Sequence, residues 1–145
     1  MGRRSQRHKQ ELSGSSLPQI AAAWIADANT KTPVAIVAGN ARCERLGTAN
    51  PRISKLVAGL LTGATYRVDS VHTMGTAALI GYCRVAPLVD LTSYIAEIQM
   101  TTTGPYTMTF ICPPGGFVYI GVALGSTVNG DFCQTKDAFT VTRIK

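Results

Sequence analysis

Two runs near the C-terminus, residues 106–112 and 118–124, alternate large apolar residues with other residue types at a period of two. Such alternation predicts β-strands with one buried face, because successive side chains of a strand point to opposite sides of its sheet. The sequence Pro-Pro-Gly-Gly lies between the runs and predicts a turn. This part of the chain therefore favours two strands separated by a turn.

Further strands are predicted where short apolar or alternating segments end at glycine, proline or polar residues. We expect a buried strand at 33–38, a strand at 66–72, a strand buried on both faces at 76–85 and a closing strand at 139–144. Residues 19–26 suit either a helical turn or an entering strand, and residues 87–99 suit a turn of helix that runs into a strand. Residues 126–137 are expected to form a loop.

One longer helix is predicted, from Asn50 to Gly63. Asn50 can cap it, Pro51 suits its first position, and Gly63 can end it. Arg52 and Lys55 lie at the positive end of its dipole, which favours either solvated cations or a bound anion. Its apolar residues recur at helical spacing: Ile53, Leu56, Val57, Leu60 and Leu61.

Together these elements predict an all-β fold, an antiparallel sandwich or barrel with one or two short helices. Residues 17–145 are long enough for one domain that buries its own core. The four cysteines show no close pairing and are expected to be free thiols. No apolar run approaches the ~20 residues of a membrane helix, so no membrane partner is expected.

Residues 1–16 differ sharply from the rest of the chain. They hold four basic residues and one acid, and Met1 and Leu12 are their only large apolar residues. Such a segment cannot bury enough surface to offset the entropy of ordering it, so it is predicted to be a disordered basic arm. Residues 1–55 hold nine Lys and Arg against three acids, which accounts for the whole net charge of +6. This asymmetry points to a polyanionic partner.

The basic side chains of this N-terminal part are the candidate nucleic-acid-binding residues. Such side chains bind phosphates without reading the base sequence. The arm supplies Arg3, Arg4, Arg7 and Lys9, and the folded part adds Arg42, Arg45, Arg52 and Lys55.

No catalytic residue is predicted, because the sequence lacks a Gly-x-Ser-x-Gly elbow, a phosphate-binding loop and a Cys-x-x-Cys zinc pair. Of its two histidines, His8 lies in the arm and His72 in a predicted strand, where an ordinary structural role is expected. No cofactor or metal site is predicted. Some carboxylates are compatible with interfacial calcium: Asp69, Asp90, Glu97, Asp131 and Asp137.

The segment from Asn50 to Val71 resembles the shell domain of coat proteins from small icosahedral RNA viruses. The run Asn50-Pro51-Arg52-Ile53-Ser54 and the later Tyr66-Arg67-Val68-Asp69-Ser70-Val71 carry the resemblance. They are similar to the proline-led helix and the Tyr-Arg-x-x-Ser strand of tombusvirus-like and sobemovirus-like shells. The bulky aromatic residue that often accompanies that helix is missing, and the chain length is nearer that of satellite-virus coat proteins.

This resemblance implies an eight-stranded antiparallel jelly roll for residues 17–145. It also implies a coat protein that assembles with identical subunits into a small icosahedral shell, packages a single-stranded RNA genome through its arm and is located in the virion. The main alternative is a non-viral β-barrel module that binds single-stranded nucleic acid. A trimeric jelly-roll ligand of the cytokine type and an enzyme whose site forms only on folding also stay open.

Overall fold

The structure of the protein is a computed structural model, and it describes residues 23–76 and 78–145. These residues form eleven strands and no helix. In chain order the strands are β1 (Ile25–Ala26), β2 (Ile36–Val37), β3 (Asn40–Glu44), β4 (Arg52–Val57), β5 (Thr65–Met74), β6 (Ile80–Ala86), β7 (Ala96–Met100), β8 (Gly104–Ile111), β9 (Val118–Gly125), β10 (Phe132–Lys136) and β11 (Thr140–Arg143).

The strands pair antiparallel in two sheets. One sheet has the order β1-β4-β9-β6-β7. In the other sheet, β2, β3, β10 and β5 are neighbours in that order. β5 pairs with β8 through Thr65–His72, with β11 through Tyr66–Asp69 and with β10 through His72–Met74.

Strands β3 to β10 form the eight-stranded jelly roll that the sequence predicted. They make two four-stranded sheets, β3-β10-β5-β8 and β4-β9-β6-β7, and most consecutive strands lie in different sheets. The predicted all-β sandwich is therefore confirmed. The three shortest strands, β1, β2 and β11, add to the edges and gaps of this arrangement.

One hydrophobic core lies between the two sheets. The predicted alternation at 106–112 and 118–124 is found in β8 and β9. The residues that point into the core are buried, and those between them point to the outer side of each sheet. From the second sheet, Tyr66 and Phe110 belong to the same core and stack with ring centroids 5.7 Å apart. The inward residues of β9 are almost completely buried: Val118, Ile120, Val122 and Leu124.

The predicted helix at 50–63 is wrong, because this segment contains β4. β4 pairs with β9 through all six of its residues and with β1 on its other edge. The apolar pattern is ambiguous here, since Ile53 and Val57 are one helical turn apart but also share a face of a strand. Gly59 and Gly63 have φ angles of +74° and +83°, so they form turns outside the strand. Long-range pairing overrides the local helix signals.

The other predicted elements differ from the structure in burial or extent. Residues 33–38 contain β2, but Ile36 and Val37 are exposed instead of buried. The strand predicted at 76–85 is β6 and begins only at Ile80, and residues 87–95 form a loop without a helix before β7. The loop predicted at 126–137 contains β10, which was missed because it lacks a period-two apolar pattern. The entering strand at 19–26 is β1, although residues 19–22 lie outside the described part of the chain.

The buried histidine His72 lies beside a cysteine thiol in the core. All four cysteines are free and buried. His72 on β5 is fully buried and packs on Gly81 of the opposite sheet, where an added Cβ would lie 2.4 Å from Nε2. Its Nδ1 lies 3.6 Å from Cys83 Sγ. Burial lowers the pKa of His72 to about 4, so its imidazole is neutral near pH 7 and the structural role predicted for it agrees with this position.

Replacing Gly121 on β9 by alanine is expected to lower the free energy of unfolding by about 2 kcal/mol. The new Cβ would lie 2.0 Å from the carbonyl oxygen of Ile53 and 2.8 Å from Ser54 Cα, so β4 and β9 would have to separate. Gly104→Ala in β8 is the matched control, since no atom lies within 4 Å of its added Cβ. Urea unfolding of both variants tests this, and equal losses of stability would contradict it.

The buried His72 also predicts a pH dependence of stability. In the unfolded chain the imidazole has its ordinary pKa of 6.5, whereas in the fold the pKa is about 4. The unfolded state therefore binds the proton first, and the free energy of unfolding falls by about 2 kcal/mol between pH 7 and pH 5. Urea unfolding at both values measures the loss, and His72→Gln should remove most of it. A wild-type stability that is flat across this range would disprove the assignment.

Candidate functional site

The candidate site lies on the side of the β1-β4-β9-β6-β7 sheet that points away from the core, here called the outer face. Strand pairing sets the outward side chains into rows across this face. One row is Arg52, Ala123, Tyr82 and Gln99. The next row is Ser54, Gly121, Arg84 and Glu97. In these two rows the middle strand, β9, contributes only Ala123 and Gly121. These small residues leave a depression at the centre of the face.

The loop at residues 87–95 packs on the second row. Ser54 Oγ donates a hydrogen bond of 2.9 Å to the carbonyl oxygen of Val89. Leu91 is fully buried, and its carbonyl oxygen accepts a hydrogen bond of 3.4 Å from Arg84 Nη1. The loop therefore forms a wall beside the first row of outward side chains.

A polar cavity of about 210 Å³ lies between this wall and the first row, and we call it the outer-face cavity. Tyr94 from the loop is 45% exposed, and Tyr82 from β6 is half-buried. Aromatic rings and polar side chains therefore face the same space. The residues that line it are Asn50, Arg52, Tyr82, Arg84, Tyr94, Glu97, Gln99 and Ala123.

Arg84 holds the cavity together. Its Nε donates to Glu97 Oε2 at 2.7 Å, and both side chains are only 15% exposed. Its guanidinium group lies 4.9 Å from the ring centroid of Tyr82 and 4.5 Å from that of Tyr94. A charge-assisted hydrogen bond links Arg84 to Glu97, and two cation–π contacts link it to both rings.

A second cavity lies at the other end of the outer face, and its character is different. It also has a volume of about 210 Å³ but is mainly apolar. Phe117 and Tyr119 pack edge to face there, with ring centroids 6.1 Å apart. The other lining residues are Leu56, Ala58, Gly59, Gly115 and Gly116. This cavity lacks charged side chains among the described residues that line it.

Two of the basic residues predicted to bind phosphate are used inside the fold. Arg45 is 8% exposed and donates hydrogen bonds to the carbonyl oxygen of Ser126 and to Asn129 Oδ1. Lys55 is also 8% exposed, and its Nζ donates to the carbonyl oxygen of Asp137 at 3.0 Å. Both cations therefore stabilise loops and strand ends of this chain.

The other predicted basic residues do not meet on one surface. Arg42 lies on β3 in the second sheet, with its guanidinium group 3.9 Å from the ring centroid of Phe132. Arg52 lies on β4 in the first sheet and lines the outer-face cavity. Arg3, Arg4, Arg7 and Lys9 lie outside the described residues, as does the whole predicted arm at 1–16.

Sequence reasoning missed most of the cavity. Tyr82 and Arg84 lie two residues apart, as do Glu97 and Gln99, and this spacing places each pair on one face of a strand. That signal was available. The pairing of β6 with β7, and of both with the loop that carries Tyr94, was not visible in the sequence.

The carboxylates considered for calcium are scattered and individually engaged. Residues 23–76 and 78–145 contain no group of three His, Cys, Asp or Glu that could hold a metal ion. Each carboxylate accepts a hydrogen bond from a nearby residue: Asp69 from Arg67, Asp90 from Thr92, Glu97 from Arg84, Asp131 from Ser126 and Asp137 from Trp24. Among the described residues no helix is long and apolar enough to cross a membrane.

No protein-family model matches this sequence, and no curated protein matches it. Solved structures do match its fold. A CBM4 structure has a TM-score of 0.60 and 15% identity and covers 92% of this chain and 97% of its own. The CBM22-1 xylan-binding domain from Paenibacillus barcinonensis has a TM-score of 0.61 and 11% identity, with 92% and 97% covered.

A third similar structure contains two kinds of module. It comprises the CBM22-1 and GH10 modules of a Clostridium thermocellum endo-1,4-beta-D-xylanase complexed with xylohexaose, with a TM-score of 0.63 and 13% identity. The match covers 93% of this chain and 28% of that one. At these identities the similarity shows a shared β-sandwich fold.

The predicted viral coat protein is contradicted by these comparisons and by β4. The resemblance rested in part on a proline-led helix at 50–63, and that segment contains the strand β4 instead. The jelly roll is present, but the similar structures described above are carbohydrate-binding modules or contain one. The predictions of an icosahedral shell, an RNA genome as partner and a virion location are therefore wrong. The alternative of a single-stranded nucleic-acid-binding module finds no support either.

The ion pair in the cavity should contribute more to stability than a similar pair on the surface. Glu97→Gln is expected to lower the free energy of unfolding by about 2 kcal/mol, because the largely buried Arg84 loses its charged partner. Asp69→Asn is the control: Arg67 Nε lies 2.8 Å from Asp69 Oδ2, but these side chains are 46% and 39% exposed. Its expected loss is below about 1 kcal/mol. Chemical denaturation of the two variants measures both losses in the free energy of unfolding. A larger loss for Asp69→Asn than for Glu97→Gln would refute the prediction.

Proposed function

We propose that this protein is a non-catalytic carbohydrate-binding β-sandwich that holds a saccharide in the outer-face cavity. The observation that carries the proposal is the cavity itself, where two fixed tyrosine rings and several polar side chains surround a floor of small residues. Aromatic rings give a small ligand a surface to pack on, and the placed polar groups around them fix its orientation.

The chemistry of the lining suits a sugar ring. A pyranose presents C–H groups on its faces, which pack on an aromatic ring, and hydroxyl groups around its rim. Tyr94 is exposed enough to offer its ring, while Asn50 and Gln99 offer amides that both donate and accept hydrogen bonds. The small side chain of Ala123 leaves room above the sheet for the ring.

The similar solved structures support this class of ligand. The Paenibacillus barcinonensis domain is described as xylan-binding, and the Clostridium thermocellum modules are complexed with xylohexaose. Both are related to this chain at the level of fold. Xylohexaose is therefore the first ligand to test.

The single carboxylate among the described lining residues of the cavity supports binding without hydrolysis. Most glycosidases use a pair of carboxyl groups on either side of the scissile bond. Of the described residues that line the outer-face cavity, Glu97 alone carries a carboxylate, and it is held by Arg84. A second carboxylate to form such a pair is missing from this lining.

Replacing either tyrosine of the cavity tests the proposal. Tyr82→Ala and Tyr94→Ala should each weaken xylohexaose binding about tenfold, because each removes an aromatic contact with the sugar. Isothermal titration calorimetry measures the affinities. Tyr119→Ala is the control, since Tyr119 lies on the same face of the sheet but lines the second cavity.

Two outcomes would overturn the proposal. The first is that the wild-type protein binds none of a panel of neutral and acidic oligosaccharides. The second is that Tyr119→Ala abolishes binding while Tyr82→Ala and Tyr94→Ala leave it unchanged. The second result would move the saccharide site to the apolar cavity.

A further inference from the structure

We infer that the saccharide held in the outer-face cavity is acidic and that Arg52 binds its carboxylate. The inference rests on the proposed function and goes beyond it by assigning the chemical class of the ligand. It follows from the placement, the free hydrogen-bonding capacity and the charge of one side chain.

The backbone of Arg52 is held firmly at the start of β4. Its amide donates hydrogen bonds of 2.9 Å to Thr30 Oγ1 and 3.3 Å to Asp27 Oδ1. Its carbonyl oxygen accepts from the Asp27 amide and from Thr30 Oγ1, both at 3.1 Å. The side chain therefore extends into the cavity from a fixed point, as a residue that positions a ligand requires.

The guanidinium group of Arg52 has unused hydrogen-bonding capacity. Its Nε is buried and has no hydrogen-bond partner among the described residues. No carboxylate within 4.0 Å pairs with it there, whereas Arg67 and Arg84 have Asp69 and Glu97. Nε has almost no accessible surface, so a ligand would bind the terminal nitrogens of the guanidinium group, which also donate no hydrogen bond to a described residue.

The charges around the cavity leave one positive charge without a partner. Arg52 and Arg84 both line it, and Glu97 neutralises only Arg84. Asp90 lies near enough for Arg52 to lower its pKa slightly, but the main cause of that lowered pKa is hydrogen bonding from Thr92. Asp90 is fully exposed to water, which screens its attraction for Arg52.

The neighbours of Arg52 indicate how an acidic sugar would sit. Arg52, Ala123 and Tyr82 are consecutive partners across three strands, so Ala123 leaves a gap between the cation and the ring. A sugar that packs over this gap against Tyr82 directs a carboxylate on its rim to Arg52. The planar guanidinium fork matches a planar carboxylate with two parallel hydrogen bonds.

The test compares matched acidic and neutral ligands on the full chain. One pair is a xylo-oligosaccharide with a single glucuronosyl group and the same compound after reduction of its carboxyl group to an alcohol. A second pair is a galacturonate oligomer and its carboxyl-reduced form. Titration calorimetry in about 0.15 M salt limits non-specific attraction to the basic chain. We expect the acidic member of at least one pair to bind about tenfold more tightly.

Two variants with the same change of charge separate Arg52 from the net charge. Arg52→Gln should remove the preference for the acidic ligand, so that the acidic and neutral members of a pair bind with affinities within about twofold of each other. Arg67→Gln, on the outward side of the other sheet, should leave the preference unchanged. Their melting temperatures establish that both variants fold.

Each other outcome has a defined meaning. Equal affinity for acidic and neutral members of every pair would overturn the inference and leave the proposed function standing. A preference that survives in Arg52→Gln would overturn it as well, because the attraction would come from other cations. Tighter binding of a sulfated xylo-oligosaccharide than of the uronate would reject a carboxylate as the group recognised. Failure to bind any member of either pair would count against the proposed function itself.

Discussion

The close pairing of β9 with β4 is the interaction on which both the core and the outer face depend. At Gly121 the two backbones approach so closely that the space for even one methyl group is taken by the carbonyl oxygen of Ile53. One side of β9 carries Val118, Ile120 and Val122 into the core, and the other side carries only small residues in its middle. The same strand therefore provides a tightly packed interior and, above the sheet, the floor of a cavity.

The sequence predicted the parts of the fold that follow from local patterning. Alternation located β8 and β9, and the strand at 66–72 was found for the same reason. The helix at 50–63 failed because its spacing satisfies two periods, and only pairing with β9 decides between them. β10 was missed because its burial comes from lying between β3 and β5, a relation that no local pattern records.

The candidate site shows the same limit more clearly. Tyr82, Tyr94 and Glu97 come from two strands and a loop, and they meet through Arg84. The charge pattern pointed to basic residues instead. It cannot distinguish Lys55, which has a hydrogen-bond partner inside the fold, from Arg52, whose Nε has none. The resemblance to coat proteins reflected a fold correctly but not a function, since a jelly roll serves many functions.

The four free cysteines give the sandwich a further property. Cys43, Cys83, Cys112 and Cys133 are all at most 2% exposed. Burial raises the pKa of the Cys43, Cys83 and Cys112 thiols, so little of the reactive thiolate exists in the folded state. Cys43 and Cys133 are also direct partners across β3 and β10. Alkylating reagents can therefore reach these sulfur atoms only when the sheets separate. The rate at which the thiols are labelled thus measures how often the core opens.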